Sequence, residues 1–202
     1  MERYIINYSE TEYIGSEERD IQDFVEDIFF KISNCYNEEV GEGHFKIINF
    51  SEFEDYYLEE PSCLMDLLDL DNQILNFFEY IGTPELFNSD YYDIEFFEPF
   101  FQKKFSYSRL FKSRVGYLDT IKINEDYQGL NIGSLVLTDL KNRYGYYLDF
   151  IGVKPYPLEF QDLSKKDFIK KDFDLKKKKV VNFYKKNGYK KIIKSDFYVL
   201  IL

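Results

Sequence analysis

Gly116-Tyr-Leu-Asp-Thr-Ile-Lys-Ile-Asn-Glu-Asp-Tyr-Gln-Gly-Leu-Asn-Ile-Gly-Ser-Leu-Val-Leu137 reads as a strand, a tight turn and a helix. Tyr117 to Ile123 is β-branched and aromatic, the composition that a half-buried strand favours. Gln128 to Gly133 turns the chain. Ser134 to Lys141, with Leu135, Val136, Leu137 and Leu140, is predicted to be a mostly apolar helix that starts at the serine. Such a turn leaves its own N–H groups and those of the first helical turn pointing one way. Together with the positive end of the helix dipole, they suit a phosphate or pyrophosphate.

The glycine spacing is neither that of a dinucleotide-binding fingerprint nor that of a P-loop, which would end in Gly-Lys-Ser/Thr. It follows Gln/Arg-x-x-Gly-x-Gly, with Gln128 first, Asn131 at the middle glycine position and Gly133 last. A second motif stands downstream. Val181-Asn-Phe-Tyr-Lys-Lys-Asn-Gly-Tyr189 is a helix end with an aromatic pair, polar residues, a glycine and an aromatic. Gly188 suits the position after a helix, where positive φ is needed. Between the motifs, Tyr146 to Val153 reads as a strand, followed by Lys154-Pro-Tyr-Pro157. Tyr189–Lys194 and Phe197–Leu202 then read as a closing hairpin around Ser195-Asp196.

Over residues 111–202 these two motifs, in this order, resemble the GNAT N-acyltransferase superfamily. Within it the chain is most similar to a bacterial subset with a Leu-Asp-x-x-x-Ile strand and a Lys-Pro-x-Pro-Leu turn. Here these are Leu118, Asp119 and Ile123, then Lys154-Pro155-Tyr156-Pro157-Leu158, with Met65 to Asp71 also similar. The resemblance implies an α/β (α+β) fold: a central, mixed, mostly antiparallel twisted sheet flanked by helices, with a C-terminal hairpin. It also implies acetyl-CoA as co-substrate and a primary amine, on a small molecule or a protein, as acceptor. Members often pair through their C-terminal strands, so a homodimer is a further expectation.

Carried over residue by residue, the resemblance assigns the backbone of Ile121, Lys122 and Ile123 to the pantetheine arm and the thioester carbonyl. Gln128, Gly129, Leu130, Asn131, Ile132, Gly133 and Ser134 are assigned to the pyrophosphate, mainly through N–H groups. Tyr184 matches the tyrosine that protonates the departing sulfur. Two departures stand out: Asn131 replaces a glycine, and Gln128 replaces the commoner arginine. Asn is the side chain that best tolerates positive φ. The asparagine usual about two turns before the tyrosine is missing, and Lys176 to Lys179 occupy that stretch. They read as a solvated helix face, with a contact to the CoA 3′-phosphate as the alternative.

The chemistry needs a proton acceptor, because a lysine-like amine has a pKa of about 10.4. Asp119 alternates with Thr120 on the strand before the loop, so one of the two faces the cleft. Asp119 is the candidate base; its structural alternative is an ion pair with Lys or Arg across the sheet. Glu125 and Asp126 read as solvated turn residues. His44, far away in sequence, is given no role in the chemistry. Two other readings remain: a GNAT-fold module that binds CoA without catalysis, and a protein-interaction domain that works through its acidic half.

Composition bounds these readings. A chain of 202 residues with 45% hydrophobic content has the length and apolar share of one globular domain. No apolar run approaches the roughly 20 residues of a membrane helix, and the first residues do not form a secretory signal. Cys35 and Cys63 form no close-spaced motif, so reduced thiols in a cytoplasm are expected. With one histidine, no metal site is expected. Residues 1–100 carry 26 Asp/Glu against 4 Lys/Arg, and residues 101–202 carry 11 against 22. The basic half fits a phosphate-bearing ligand, and the acidic half fits a cationic acceptor or the basic half itself. No nucleic-acid motif is present.

Residues 1–110 form an acidic front half joined to the 111–202 core without a linker, so one domain over 1–202 is expected. Ser16 to Tyr36 is predicted to be a helix, because Ile21, Phe24, Val25, Ile28, Phe29 and Ile32 recur at three- and four-residue steps. Arg3 to Tyr8 and Phe45 to Phe50 are predicted strands. Asn72 to Ile81 is predicted to be a helix capped by Asp71 and ended by Gly82, followed by short helices and loops to Phe111.

Overall fold

The computed structural model describes residues 3–10, 25–49, 114–160, 169–192 and 195–202. Among them seven strands form one sheet, in the order β1-β2-β3-β4-β5-β7-β6. The strands are β1 (Ile5–Glu10), β2 (Val25–Ser33), β3 (Glu39–Asn49), β4 (Arg114–Ile123), β5 (Leu148–Val153), β6 (Lys190–Lys191) and β7 (Tyr198–Ile201). Helix α1 (Ile132–Tyr144) joins β4 to β5, and α2 (Lys170–Lys186) lies between β5 and β6. Every neighbouring pair is antiparallel except β4 and β5, which are parallel. Two parallel neighbours cannot be joined by a tight turn, which is why a whole helix intervenes there. The α+β class, the mixed and mostly antiparallel sheet and the C-terminal hairpin agree with the sequence reading. The strands of that hairpin are shorter than expected.

One prediction is overturned. Residues 25–33, assigned to a helix over Ser16 to Tyr36, are strand β2, paired on both edges with β1 and β3. Ile28, Phe30 and Ile32 are buried, whereas Phe29 and Lys31 between them are exposed, a period of two rather than 3.6. The residue that decides is Phe30. It lies outside the helical stripe, and at 1% exposure it belongs to the core. Asn34 builds the turn into β3: its Oδ1 accepts the N–H groups of Tyr36 (2.9 Å) and Glu38 (3.0 Å). Asn37 supplies the positive φ of 63°. Residues 11–24, 50–113 and 161–168 are outside the described residues. With them go the rest of the Ser16 helix, the Asn72 to Ile81 helix, the stretch to Phe111, Met65 to Asp71, and Cys63.

One face of the sheet packs on α1. Ile28, Phe30 and Ile32 of β2, Phe45 and Ile47 of β3 and Leu118 of β4 meet Ile132, Val136, Leu140 and Tyr144 of the helix. Each such burial is worth about 1.5–3 kcal/mol. Gly43 of β3 lies under this layer. A Cβ there would stand 2.6 Å from the Thr120 carbonyl oxygen and closer still to the Phe30 ring. Gly43→Ala is therefore expected to destabilise the fold by about 1–3 kcal/mol through overpacking. Urea denaturation measures it, and an unchanged midpoint would contradict the packing.

Strand β5 matches β4 only from Arg114↔Leu148 to Leu118↔Val153. Beyond Val153, Pro155 and Pro157 have no N–H to continue a ladder. Among the described residues, 119–123 of β4 therefore run on beside β3 alone, and the parallel pair opens at Leu118.

Candidate functional site

The opening between β4 and β5 begins at an irregularity. Thr120 pairs with His44 and Leu118 with Phe45, so Asp119 is an extra residue, a β-bulge. The bulge turns the Asp119 side chain toward His44. Asp119 Oδ2 lies 3.2 Å from His44 Nδ1, on the face of the sheet opposite α1. The partner is thus an imidazole, not the Lys or Arg that the structural alternative named.

His44 is held on both sides. Its Nε2 lies 2.7 Å from Asp27 Oδ1 on β2, and the Phe29 ring stacks on it at 4.3 Å, 2° from parallel. Lys46 Nζ lies 3.8 Å from the same Asp27 oxygen. Burial alone pushes the imidazole pKa down, but the hydrogen bonds and charges of Asp119 and Asp27 outweigh it and raise it to about 9. Near neutral pH the ring is an imidazolium, the only form that donates to both carboxylates. The sequence reading missed Asp27 and His44 because it placed Asp27 on a helix. The hairpin register supplies the signal, since it sets Phe29 opposite His44 and Asp27 one diagonal step away.

Past the bulge, successive N–H groups of β4 point to alternate edges. Asn124 N–H donates to Val40 O on β3 (2.9 Å), so Lys122 faces that same edge. The N–H groups of Ile121 and Ile123 point to the side that β5 has left. Of the three residues assigned to the pantetheine arm, Lys122 is therefore turned the other way. Its side chain is exposed, 3.7 Å from Glu42.

A 3-10 turn, Glu125–Tyr127, leads into the loop. Gln128 serves the loop itself: its N–H donates to Glu125 O (3.1 Å) and its side-chain amide to Ile123 O (3.0 Å). These bonds tether the turn to the end of β4. Gly129 has φ 82° and Asn131 φ 66°. Asparagine thus occupies the left-handed conformation expected where the motif has glycine. The helix starts at Ile132 with Asn131 as its N-cap, two residues before the predicted serine. Ser134 lies inside the first turn, where its carbonyl accepts the Thr138 hydroxyl (2.9 Å). Leu135 N–H is bonded to Asn131 O (3.2 Å), so the N–H groups of Ile132, Gly133 and Ser134 precede the helical ladder. No acidic side chain stands in this first turn. A Cβ on Gly129 would meet nothing within 4 Å, so the outer side of the loop is open, as is exposed Leu130.

Gly133 is needed for another reason. A Cβ there would stand 3.0 Å from Phe183 Cζ of α2, so the start of α1 and the last turns of α2 are in close contact. Tyr184 follows Phe183 and belongs to the core on the α1 face, at 7% exposure. The helix ends as the sequence predicted. Tyr189 N–H donates to Tyr184 O (3.1 Å) and Gly188 N–H to Lys185 O (3.1 Å), a Schellman cap with Gly188 at φ 89°. The Tyr184 and Tyr189 rings meet edge to face at 5.3 Å. Burial raises the Tyr184 pKa, so its phenol stays protonated at neutral pH.

The loop at the start of α1 and the last turns of α2 thus meet through Gly133 and Phe183, and Asp119 follows the last residue of β4 that pairs with β5, on the other face of the sheet. Lys176 pairs with Glu159 (2.7 Å) and Lys177 with Asp196 (3.3 Å), whereas Lys178 and Lys179 are exposed. A shallow concavity along Lys170, Lys171, Asp174, Leu175 and Lys178 is formed by exposed side chains of one helix. It lacks the converging groups of a site. Cys35 is exposed, with a free thiol. Among the described residues no cluster of His, Cys, Asp or Glu could hold a metal ion. Among them, too, no helix is long and apolar enough to cross a membrane. Neither protein-family models nor curated protein sequences give a match to the chain.

Proposed function

We propose that the chain is an acyl-CoA-dependent N-acyltransferase with a GNAT fold, moving an acetyl group from acetyl-CoA to a primary amine. The observation that carries this reading is the opening of the parallel pair at Leu118, followed directly by a left-handed turn at Asn131 into α1. A thioester-bearing arm fits beside a strand edge that has lost its neighbour, where the N–H groups of Ile121 and Ile123 would hold it and polarise its carbonyl. The amides from Gly129 to Ser134, at the positive end of α1, would hold the pyrophosphate. Asp119 would take the proton of the amine, and Tyr184 would donate a hydrogen bond to the departing sulfur. Burial makes Tyr184 a weaker acid than free tyrosine, so its contribution is to steady the developing thiolate.

A module that binds CoA without transferring from it would keep the same loop. Tyr184 separates the two readings. With acetyl-CoA and an amine that the wild type acetylates, Tyr184→Phe is expected to lower kcat by about 10–100-fold and to leave acetyl-CoA affinity unchanged. Equal rates would remove Tyr184 from the chemistry. A wild type that binds acetyl-CoA and acetylates no amine would favour the binding module.

A further inference from the structure

We infer that Asp27 and His44 are a positioning pair for Asp119, and that the face of the sheet they occupy is the one from which the amine approaches. The inference rests on the acyltransferase reading. Three strands contribute one residue each: Asp27 from β2, His44 from β3 and Asp119 from the bulge of β4. The imidazole spans the two carboxylates at 2.7 and 3.2 Å. Only Oδ2 of Asp119 is engaged; Oδ1 has no hydrogen-bond partner among the described residues, and the side chain keeps 22% exposure. A carboxylate fixed through one oxygen and open at the other is the arrangement a proton acceptor needs. It stands at the first residue past the end of the β4–β5 pairing, where the carbonyl of a bound thioester would be presented.

In the transfer, the amine nitrogen bonds to the acetyl carbon and the C–S bond breaks, its electron pair remaining on sulfur. The proton lost by nitrogen goes to Asp119 Oδ1 and from there to water, and the thiolate takes a proton from water. His44 gives up no proton in this sequence. Its two N–H groups hold Asp119 toward the cleft, with Asp27 as the counterweight. Among the described residues, the charged groups around the ring are Asp27 from β2, Lys46 from β3 and Asp119 from β4. Farther along these strands, Lys31 is paired with Glu39, and Lys122 with Glu42. When the imidazolium loses a proton, the remaining N–H serves the nearer carboxylate, Asp27, and Asp119 is released. An alkaline fall in kcat with the midpoint of His44 follows.

His44 is the single histidine of the chain, so its imidazole signals need no assignment. The test is an NMR pH titration of the wild-type protein, beside pH profiles of acetyl transfer for wild type and His44→Gln. The imidazole is expected to titrate at about 9 and the wild-type kcat to fall with the same midpoint. In His44→Gln, kcat at neutral pH is expected to drop tenfold or more, with unchanged acetyl-CoA affinity and no fall at that midpoint. An imidazole titrating near 6.5 overturns the pair without any variant being needed. Equal kcat in His44→Gln overturns its role in positioning, and both of those results leave acetyl-CoA binding intact. A wild type that does not bind acetyl-CoA overturns the acyltransferase reading and the positioning role with it.

Discussion

Gly133→Glu is expected to weaken acetyl-CoA binding by at least a hundredfold while the protein stays folded. Two effects act together. The new Cβ would stand 3.0 Å from Phe183 Cζ, so the ring must give way or the first turn of α1 must shift. The carboxylate would also lie among the amides proposed to hold the pyrophosphate. Two unit charges about 4 Å apart repel by roughly 4 kcal/mol at an effective dielectric constant of about 20, well over a hundredfold in affinity. The fold is affected less, because an acidic residue in the first turn favours the helix dipole, and α1 has none there. Gly133→Ala separates the two effects, since it crowds Phe183 without adding charge and should cost affinity far less. Calorimetric titration of both variants, with circular dichroism for folding, measures the difference. A folded Gly133→Glu that binds acetyl-CoA as the wild type does would place the pyrophosphate elsewhere.

Folding stability should fall between pH 6.5 and 9 through His44 alone. The folded-state pKa of the imidazole is about 9, above its ordinary 6.5, so the folded protein holds the proton more tightly than the unfolded chain. The stabilisation is complete below 6.5, declines as pH rises, and is gone above about 9. Each pKa unit is worth about 1.4 kcal/mol, and solvent access to the pair reduces the sum to about 2 kcal/mol. Urea denaturation at pH 6.0 and at pH 9.5 should therefore differ by about that amount in the wild type. His44→Gln removes the group, and its stability should be flatter over the same window. A wild-type difference that survives in His44→Gln would assign the slope to other groups.

The back half of the chain was legible because local chemistry and tertiary structure agree there. Asn131 and Gly188 are placed by backbone conformation, which a single residue reveals: both have positive φ, and Gly188 completes a cap whose bonds all lie within six residues. The β4–α1–β5 crossover is likewise local in sequence. The helix start was less legible, since Ser134 has the chemistry of a cap but Asn131, already in the left-handed conformation, begins the helix.

The front half resisted for the opposite reason. Ile28 and Ile32, four residues apart, fit a helical stripe and a strand face equally well, and pairing with β1 and β3 decides between them. Once the strand is missed, the hairpin register is missed, and with it the placement of Asp27 and His44 beside Asp119. Gln128 shows a different limit. Its motif position suggests a ligand contact, but the carbonyl of Ile123 lies within reach and its side chain bonds there. The alternation that turns the Lys122 N–H toward β3 depends on a bulge one turn of the pleat earlier, which the sequence does not mark.

Calorimetric titration of the full chain with acetyl-CoA, with CoA and ATP as controls, tests the central claim most directly. The account predicts micromolar binding of acetyl-CoA and of CoA, with weaker binding of ATP, which lacks the pantetheine arm that Ile121 and Ile123 would hold. Absence of binding, or ATP bound as tightly as acetyl-CoA, would contradict it.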